Sequence, residues 1–206
     1  MSLYSRYILP TLIEKTCATK PVMKQREKVV PLAEGRVLEV GAGGGLNLSY
    51  YDASKVKAVI GLDSSAELLA TAEEKAQTVG ISFEPMLVDA EYIPLEDNSV
   101  DTVLVTYTLC SIVDVRRALQ EMRRVLTPNG HLIFCEHGAA PDRRVLRIQR
   151  GLTPIWRHVS GNCHLDRDTL AEIAGAGFKI GWYEEMYLPG TLKFAGFNRW
   201  GVAAIQ

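Results

Sequence analysis

The sequence contains no continuous apolar segment of about 18 residues, the length that a membrane-spanning helix requires. It begins without the basic region, apolar region and cleavage site of a secretory leader. Basic and acidic residues nearly cancel, with a formal net charge of -1, which is not the footprint of a nucleic-acid-binding protein. We therefore expect a cytoplasmic protein with no stable membrane anchor and no nucleic-acid partner. The one basic cluster comprises Arg143, Arg144, Arg147 and Arg150. It predicts the solvent-facing side of a helix, with a patch for phosphate or lipid headgroups as the alternative.

Cysteines are few, and none are spaced as C-x-x-C, the pattern of many zinc and redox sites. They are Cys17, Cys110, Cys135 and Cys163. In a reducing compartment we expect free thiols. Cys135, His137, Cys163 and His164 could form a zinc site only if two distant segments folded together, and buried apolar thiols are the simpler interpretation. We therefore predict no bound metal.

Internal repeats and low-complexity segments are also absent, and 47% of the residues are hydrophobic, enough for one domain over residues 1–206. Short apolar segments bounded by turn residues predict strands near 36–40, 57–62, 82–88, 101–106, 130–137, 178–187 and 196–205. Helical patterns lie near 46–50, 65–78, 114–126, 142–158 and 167–176, after a helical segment that ends near Leu32 and is broken at Lys20-Pro21. This alternation predicts an α/β fold with a mainly parallel sheet covered on both faces.

A glycine-rich turn follows the first predicted strand, and it is the most informative feature that is present. Gly41, Gly43 and Gly45 can adopt backbone angles closed to other residues and let main-chain N–H groups approach a ligand. Glu39 stands two residues before this turn, where it would repel a pyrophosphate but suits an ammonium or sulfonium group. Asp63 ends the next strand, where an acid can accept both hydroxyl groups of an adenosine ribose. The combination predicts a site for S-adenosylmethionine, which becomes S-adenosylhomocysteine after methyl transfer.

A second acid follows the third predicted strand. Asp89 could accept the adenine amino proton while Ala90 flanks the ring, or it could be a solvated turn residue. The full set of predicted cofactor contacts is Glu39, Gly41, Ala42, Gly43, Gly45, Asn47, Asp63, Ser64, Asp89, Ala90 and Thr106.

These motifs resemble the class I S-adenosylmethionine-dependent methyltransferases, in particular the group with the ubiquinone and menaquinone C-methyltransferases. The matching segments are 39–45, Asp63, 89–90, 101–107 and 126–130. Three further segments, 108–112, 134–140 and 161–167, are similar to the thiol S-methyltransferases of animals and their bacterial relatives. The animal members carry a hydrophobic N-terminal anchor, and the sequence departs from them there.

The resemblance implies a Rossmann-like, seven-stranded sheet in the order 3-2-1-4-5-7-6 with the last strand antiparallel. It implies a cofactor-binding core over residues 36–137 and a helical N-terminal lid over residues 1–33. Residues 141–165, inserted after the fifth strand, are predicted to form a second lid over the substrate. Substrate choice should lie in these two lids.

The methyl acceptor decides which protein groups take part in the reaction. Methyl transfer is an in-line displacement that needs a nucleophile held about 3 Å from the methyl carbon. A thiol, with a pKa of about 8.5, is already partly ionised at neutral pH, so one nearby histidine suffices as base. His137 is the first candidate and His164 the second, with an orienting bond and a helix-capping role as their alternatives. Cys110 either lines the acceptor pocket or is a small buried residue.

The sequence therefore predicts an S-adenosylmethionine-dependent methyltransferase acting on a small, partly apolar acceptor, with a thiol as first choice. A quinone-precursor C-methyltransferase and a phospholipid N-methyltransferase are the alternative enzymes. A cofactor-binding scaffold without turnover is the alternative outside enzymes. The partner is predicted to be a small-molecule acceptor, and the oligomeric state is not predicted.

Overall fold

A computed structural model describes residues 15–205 of the chain. Its strands are β1 (Gly35–Val40), β2 (Val56–Asp63), β3 (Phe83–Leu87), β4 (Val100–Thr106), β5 (Leu126–His137), β6 (Phe178–Tyr187) and β7 (Phe197–Ile205). Its helices are α1 (Lys20–Val29), α2 (Ala66–Val79), α3 (Val115–Val125), α4 (Arg143–Val159), α5 (Thr169–Gly175) and α6 (Lys193–Gly196). Two 3-10 turns cover Val30–Leu32 and Leu48–Tyr50.

The strands form one sheet in the order β3-β2-β1-β4-β5-β7-β6, as the resemblance implied. The pairs among β1 to β5 are parallel, and β7 is antiparallel to both β5 and β6. The carboxyl ends of β1, β2, β4 and β5 therefore share one edge of the sheet. Ligands of open α/β sheets bind at that edge, near the point where the strand order reverses between β1 and β4.

Apolar residues cover both faces of the sheet, as expected for parallel strands buried on two sides. On one face, Leu38, Val103 and Phe134 pack with residues of α3 and α5. On the other face, Val37 and Ile133 pack with residues of α2 and the segment after α1. The alternation of neighbouring residues such as Val37 and Leu38 between the two cores follows from the two-residue period of a strand.

The helices begin and end where side chains or glycine satisfy the backbone. Ser65, Asp114 and Asp168 each accept a bond from a backbone N–H in the first turn of α2, α3 and α5. Gly80 ends α2 in the left-handed conformation, at a φ of 74°. No helix within residues 15–205 combines the length and hydrophobicity that crossing a bilayer would require.

The N-terminal helical segment is interrupted at Ala18 and Thr19, and α1 begins at Lys20 with Pro21 in its first turn, where a missing N–H costs little. The predicted break beside Lys20-Pro21 is therefore confirmed. Two local predictions need correction. The predicted turn at 128–130 lies inside β5, where an irregular register between β4 and β5 absorbs it. The helix predicted at 46–50 is only the 3-10 turn Leu48–Tyr50. Of the predicted N-terminal lid, residues 1–14 lie outside the described part of the chain.

Candidate active site

The glycine-rich segment after β1 forms a tight turn at the carboxyl end of that strand. The Gly41 N–H donates to the Leu62 carbonyl in β2 at 2.8 Å. Gly41, Gly43 and Gly45 have φ angles of 74°, 52° and 74°, which residues with a Cβ rarely adopt. A Cβ at Gly41 would overlap the Thr108 side chain, whereas a Cβ at Gly43 would meet nothing within 4 Å. The turn thus leaves open space beside Gly43, as a ligand cradle requires.

Asp63, the last residue of β2, faces this turn. Its Oδ2 accepts the Gly43 N–H at 2.9 Å, and its Oδ1 accepts the Ser65 N–H at 2.9 Å. Burial raises the pKa of Asp63 in spite of these bonds. A carboxylate offers about four acceptor positions, so two backbone bonds leave capacity for two ligand hydroxyl groups.

Glu39 lies beneath the turn and is only 1% exposed. Its two oxygens accept bonds from Asn47 Nδ2 at 2.8 Å and from the Tyr51 hydroxyl at 2.6 Å. Burial raises the pKa of Glu39, against these bonds and the nearby Arg26, which lower it. The Asn47 amide also donates to Thr106 Oγ1 at 3.0 Å. Glu39 therefore positions Asn47 and Thr106, and direct contact of Glu39 with a cationic ligand stays a prediction.

Arg26 of α1 enters the same network, and sequence reasoning did not select it. Its Nη1 donates to Asn47 Oδ1 at 2.8 Å and to Thr106 Oγ1 at 2.5 Å. The side chain is 5% exposed, and its Nε is buried without a hydrogen-bond partner among the described residues. A signal was available in the sequence, because Val22, Arg26 and Val29 share one helix face and an arginine on an apolar face needs a partner.

The remaining predicted cofactor residues lie around the same edge. The Ala42 N–H donates to the Leu62 carbonyl at 3.0 Å and completes the turn. Ser64 and Asp89 are exposed, and Ala90 is buried in the core. The structure thus brings the glycine turn, Asp63, Asn47 and Thr106 together, and it leaves the adenine contacts of Asp89 and Ala90 as predictions.

A second group of side chains gathers beyond the end of β4, where three backbone contacts bring distant segments together. The Asn162 amide donates to the Ser111 carbonyl at 2.9 Å. The His164 N–H donates to the Cys110 carbonyl at 2.9 Å. Arg167 donates to two carbonyl groups of residues 109–112. The loop after α4 is therefore fixed to the loop after β4.

This arrangement places Cys163 beside Cys110 and His137, three residues that we call the sulfur cluster. One ligand atom from each lies within 4.8 Å of the other two, and Cys163 Sγ is 3.2 Å from His137 Nε2. Cys110 is buried, and the other two are half-buried. Trp156 of α4 lies next to Cys163, and its indole N–H is buried without a hydrogen-bond partner in residues 15–205.

The cluster differs from the combination weighed in the sequence. Cys135 is not a member, because its Sγ contacts the Tyr107 hydroxyl at 3.6 Å and Asn198 Nδ2 at 3.5 Å. His164 contributes its backbone to the loop contact rather than its ring. Cys110 is a member instead, whereas in the sequence it was considered only as a residue that lines the acceptor pocket or as a small buried residue.

The ionisable side chains of the cluster change one another's pKa values. A bond from the Cys163 thiol lowers the pKa of Cys110 well below its ordinary value, and the same bond raises the pKa of Cys163. Burial is the largest single influence and lowers the pKa of His137, but the charge and hydrogen bond of Cys110, together with the charge of Glu136, outweigh it, so that the pKa is raised. Partial burial and Arg167 lower the pKa of His164. Cys110 is therefore the more acidic thiol of the pair.

Glu136 lies between the two halves of the site and is fully buried. Its Oε1 accepts the N–H groups of Thr108 and Leu109 at 2.8 and 3.1 Å. Its Oε2 is buried without a partner in the described part of the chain. Burial and the Cys110 sulfur raise the pKa of Glu136 to about 8. Glu136 therefore shapes the loop that carries Cys110.

Comparison with known proteins decides the family. Residues 38–134 match the profile of the methyltransferase domain family. Over 185 residues the chain is 32% identical to the rat thiol S-methyltransferase TMT1B, covering 85% of this chain and 75% of that protein. The chain belongs to the S-adenosylmethionine-dependent methyltransferases.

Other methyltransferases with different acceptors are also similar. The chain is 34% identical over 122 residues to phosphatidylethanolamine N-methyltransferase of Cereibacter sphaeroides, covering 57% of this chain and 58% of that protein. It is 30% identical over 150 residues to demethylmenaquinone methyltransferase of Thermus thermophilus, covering 68% of each. The fold matches the crystal structure of YcgJ of Bacillus subtilis with a TM-score of 0.65 at 20% identity, covering 96% of this chain and 97% of that one.

S-adenosylmethionine is the cofactor of this methyltransferase. The described residues fit it, because the space beside Gly43 is open, Asp63 has acceptor capacity left, and Arg26 Nε has no hydrogen-bond partner among residues 15–205. Asp63 would hold the ribose hydroxyl groups, and the buried Arg26 is placed to hold the carboxylate. Thr106 and Asn47 would keep that guanidinium in position.

Proposed function

We propose that this methyltransferase transfers the methyl group to the sulfur of a small, partly apolar thiol. The observation that carries the proposal is the sulfur cluster, which lies at the carboxyl ends of β4 and β5, next to the cofactor turn. Thr108, which abuts Gly41, is two residues from Cys110 in the same loop. The similarity to the thiol S-methyltransferase TMT1B supports the same acceptor class.

The chain's own residues supply position and a dry environment rather than covalent chemistry. The cofactor supplies an electrophilic methyl group on a sulfonium. Opposite charges on a thiolate acceptor and the sulfonium both vanish on transfer, so excluding water from the pocket favours the reaction. The buried Cys110 and the half-buried Trp156 would exclude that water. We propose that the two predicted lids, residues 1–33 and 141–165, close over this pocket.

His137 and His164 remain the proposed bases for the thiol proton. His137 is the better placed, because its ring lies within the cluster, whereas His164 is anchored through its backbone. His137 Nε2 already contacts Cys163, so it has to give up or share that contact to accept a proton.

The test is a turnover screen with methyl-labelled cofactor against alkyl thiols, phenolic quinone precursors and amino-headgroup lipids. We expect methylation of alkyl thiols only, with a large fall in turnover for His137→Ala and His137→Gln. Turnover of a quinone precursor without thiol turnover would contradict the proposal in favour of C-methylation. Cofactor binding without turnover on any acceptor class would favour the scaffold interpretation.

A phospholipid amine is the second candidate acceptor, and α4 favours it. This helix carries five arginines, and its exposed apolar residues, Ile148, Leu152, Ile155 and Val159, recur at helical spacing. A basic helix with an exposed apolar stripe suits an anionic lipid surface. Methylation of phosphatidylethanolamine vesicles in the same screen would support this candidate.

A further inference from the structure

The sulfur cluster combines three groups that are the usual ligands of zinc. We propose that Cys110, His137 and Cys163 bind one zinc ion and leave its fourth position open for the acceptor thiol. The metal site stands on geometry alone, and the role of the fourth position rests on the proposed thiol methylation. The inference revises the expectation from the sequence that no metal is bound.

The distances suit a tetrahedral ion. Zinc binds sulfur at about 2.3 Å and imidazole nitrogen at about 2.0–2.1 Å, which sets ligand atoms roughly 3.5–3.8 Å apart. The Cys163 Sγ to His137 Nε2 distance is 3.2 Å, and the three ligand atoms lie within 4.8 Å of one another. Small side-chain rotations would bring the atoms to the separation that zinc requires.

The local charge also suits a divalent cation. Two cysteine sulfurs are held together where Cys110 is 4% exposed, and both can be thiolates in such a place only with a compensating positive charge. Zinc would neutralise both thiolates and leave a site with no net charge. The nearby Glu136 Oε2 is buried and has no hydrogen-bond partner within residues 15–205, which points to a bound group beside the cluster.

The number of ligands indicates a catalytic rather than a structural ion. Among residues 15–205, three side chains of the types that bind metals lie close together here, namely Cys110, His137 and Cys163. Structural zinc sites have four protein ligands, whereas catalytic sites have three and an open position. His137 and Cys163 are half-buried, so an incoming molecule can reach the cluster from the side of α4.

The open position gives the ion a role in methyl transfer. The acceptor thiol would bind zinc as a thiolate and release its proton to water, because a coordinated thiol is deprotonated. The thiolate electron pair then forms the new sulfur–carbon bond as the sulfonium–methyl bond breaks, and that bond's electron pair stays on the departing homocysteine sulfur. The product thioether is a weak ligand and dissociates. In the zinc-bound enzyme His137 would act as a ligand, and this role would replace the role of base that is proposed for it above.

Direct metal binding tests the site without reference to activity. The full chain, reduced and stripped of metal, is titrated with Zn²⁺ against a chromogenic chelator. We expect one zinc per chain. Cys110→Ser, Cys163→Ser and His137→Gln should each weaken binding by more than about 100-fold, beyond the 10- to 100-fold typical of outer-shell changes. Cys17→Ser is the matched control, because it removes a thiol outside the cluster.

Cobalt substitution provides a second readout. Co²⁺ in the site should show a thiolate-to-metal charge-transfer band that decreases in Cys110→Ser and Cys163→Ser and persists in Cys17→Ser. Circular dichroism of each variant checks that the fold is retained. Absence of zinc binding by the wild-type chain, or equal loss in Cys17→Ser, would overturn the site.

Activity then separates the metal from the acceptor. Loss of thiol methylation on metal removal, with recovery on adding Zn²⁺, would support both proposals. Thiol methylation at an unchanged rate in the metal-free enzyme would overturn the metal's role and leave the proposed function standing. Zinc binding without methylation of any thiol would leave the site standing and overturn the proposed function.

Discussion

Gly43 and Gly80 have similar backbone strain but lie in different parts of the fold. Gly43 lies in the cofactor turn, and Gly80 follows the last residue of α2. Both have positive φ, at 52° and 74°, and an added Cβ meets nothing within 4 Å at either one. Gly43→Ala and Gly80→Ala should therefore cost a similar 1–2 kcal/mol of stability, roughly the penalty of a left-handed residue with a Cβ. Only Gly43→Ala should weaken S-adenosylhomocysteine binding, by at least about tenfold, because its methyl group would occupy the cradle. Denaturation and calorimetry measure the two effects, and wild-type affinity in Gly43→Ala would show that the glycine serves only the turn.

Asp63 is predicted to hold the ribose hydroxyl groups. Asp63→Ala should weaken S-adenosylhomocysteine binding by about 2 to 4 kcal/mol, the loss of two charge-assisted hydrogen bonds. Asp97→Ala is the control, because Asp97 is exposed and its partner is Arg124. Calorimetry would contradict the ribose assignment if Asp63→Ala cost less than about 0.5 kcal/mol.

Glu39 should make the stability of the cofactor-free protein depend on pH. Burial raises the pKa of Glu39 above its ordinary 4.5. Between that value and the raised one, the folded state keeps a proton that the unfolded state releases, so the free energy of unfolding falls as pH rises, by at most about 1.4 kcal/mol per pH unit. Glu39→Gln lacks this titration, so its stability relative to wild type should increase with pH. Urea denaturation from mildly acidic to neutral pH measures the difference, and a constant difference would mean that Glu39 stays ionised.

Part of the cofactor half could be placed from local motifs at strand ends, whereas Arg26 of α1 was missed. The glycine turn and Asp63 depend only on the strand that precedes them. The sulfur cluster could not be predicted, because Cys163 and His137 are 26 positions apart and meet only through loop contacts. Those contacts depend on Asn162 and Arg167 bonding to backbone carbonyls, which leaves no pattern in the sequence.

At the scale of elements, one side chain fixes the lid helix α4 to the body. Gln149 is 1% exposed and bonds to the Ala140 N–H and to the Gly138 and Phe194 carbonyls at 2.9, 2.9 and 3.0 Å. Gln149→Ala should lower the free energy of unfolding by about 2 to 4 kcal/mol, because it leaves buried backbone groups unpaired. Gln120→Ala, at an exposed position of α3, is the control and should change stability little. Urea denaturation checks both, and equal stabilities would show that water or a shift of α4 replaces these bonds.

Most elements could be predicted from periodicity, since buried strands and amphipathic helices differ in their apolar spacing. The errors occurred where tertiary contacts override a local signal. Residues 128–130 remain in β5 because the strand pairs with β4 on both sides of them. The short helix Lys193–Gly196 was not predicted, because four residues are too few to show a period.

For the whole molecule, cofactor binding should appear as stabilisation of the fold. S-adenosylhomocysteine at about 100 times its dissociation constant adds about 2.7 kcal/mol. For a chain of this size, that corresponds to a rise in Tm of about 5 to 10 °C. Thermal denaturation with NAD at equal concentration is the control and should show no shift. A shift with NAD alone would contradict the cofactor assignment.

The loop after β4 connects the two halves of the site, and it is short and stiff. Thr108 contacts Gly41 in the cofactor turn, and Cys110 follows two residues later. Tyr107, the first residue after β4, has a φ of 57°, which is rare outside glycine. A shift of this loop on one side has to be transmitted to the other, so occupancy of the two half-sites is thermodynamically linked. Linkage is reciprocal. The factor by which the cofactor changes the affinity of the cluster for its ligand equals the factor by which that ligand changes the affinity for the cofactor. The loop would therefore give the two half-sites one coupling free energy, which can be measured from either ligand.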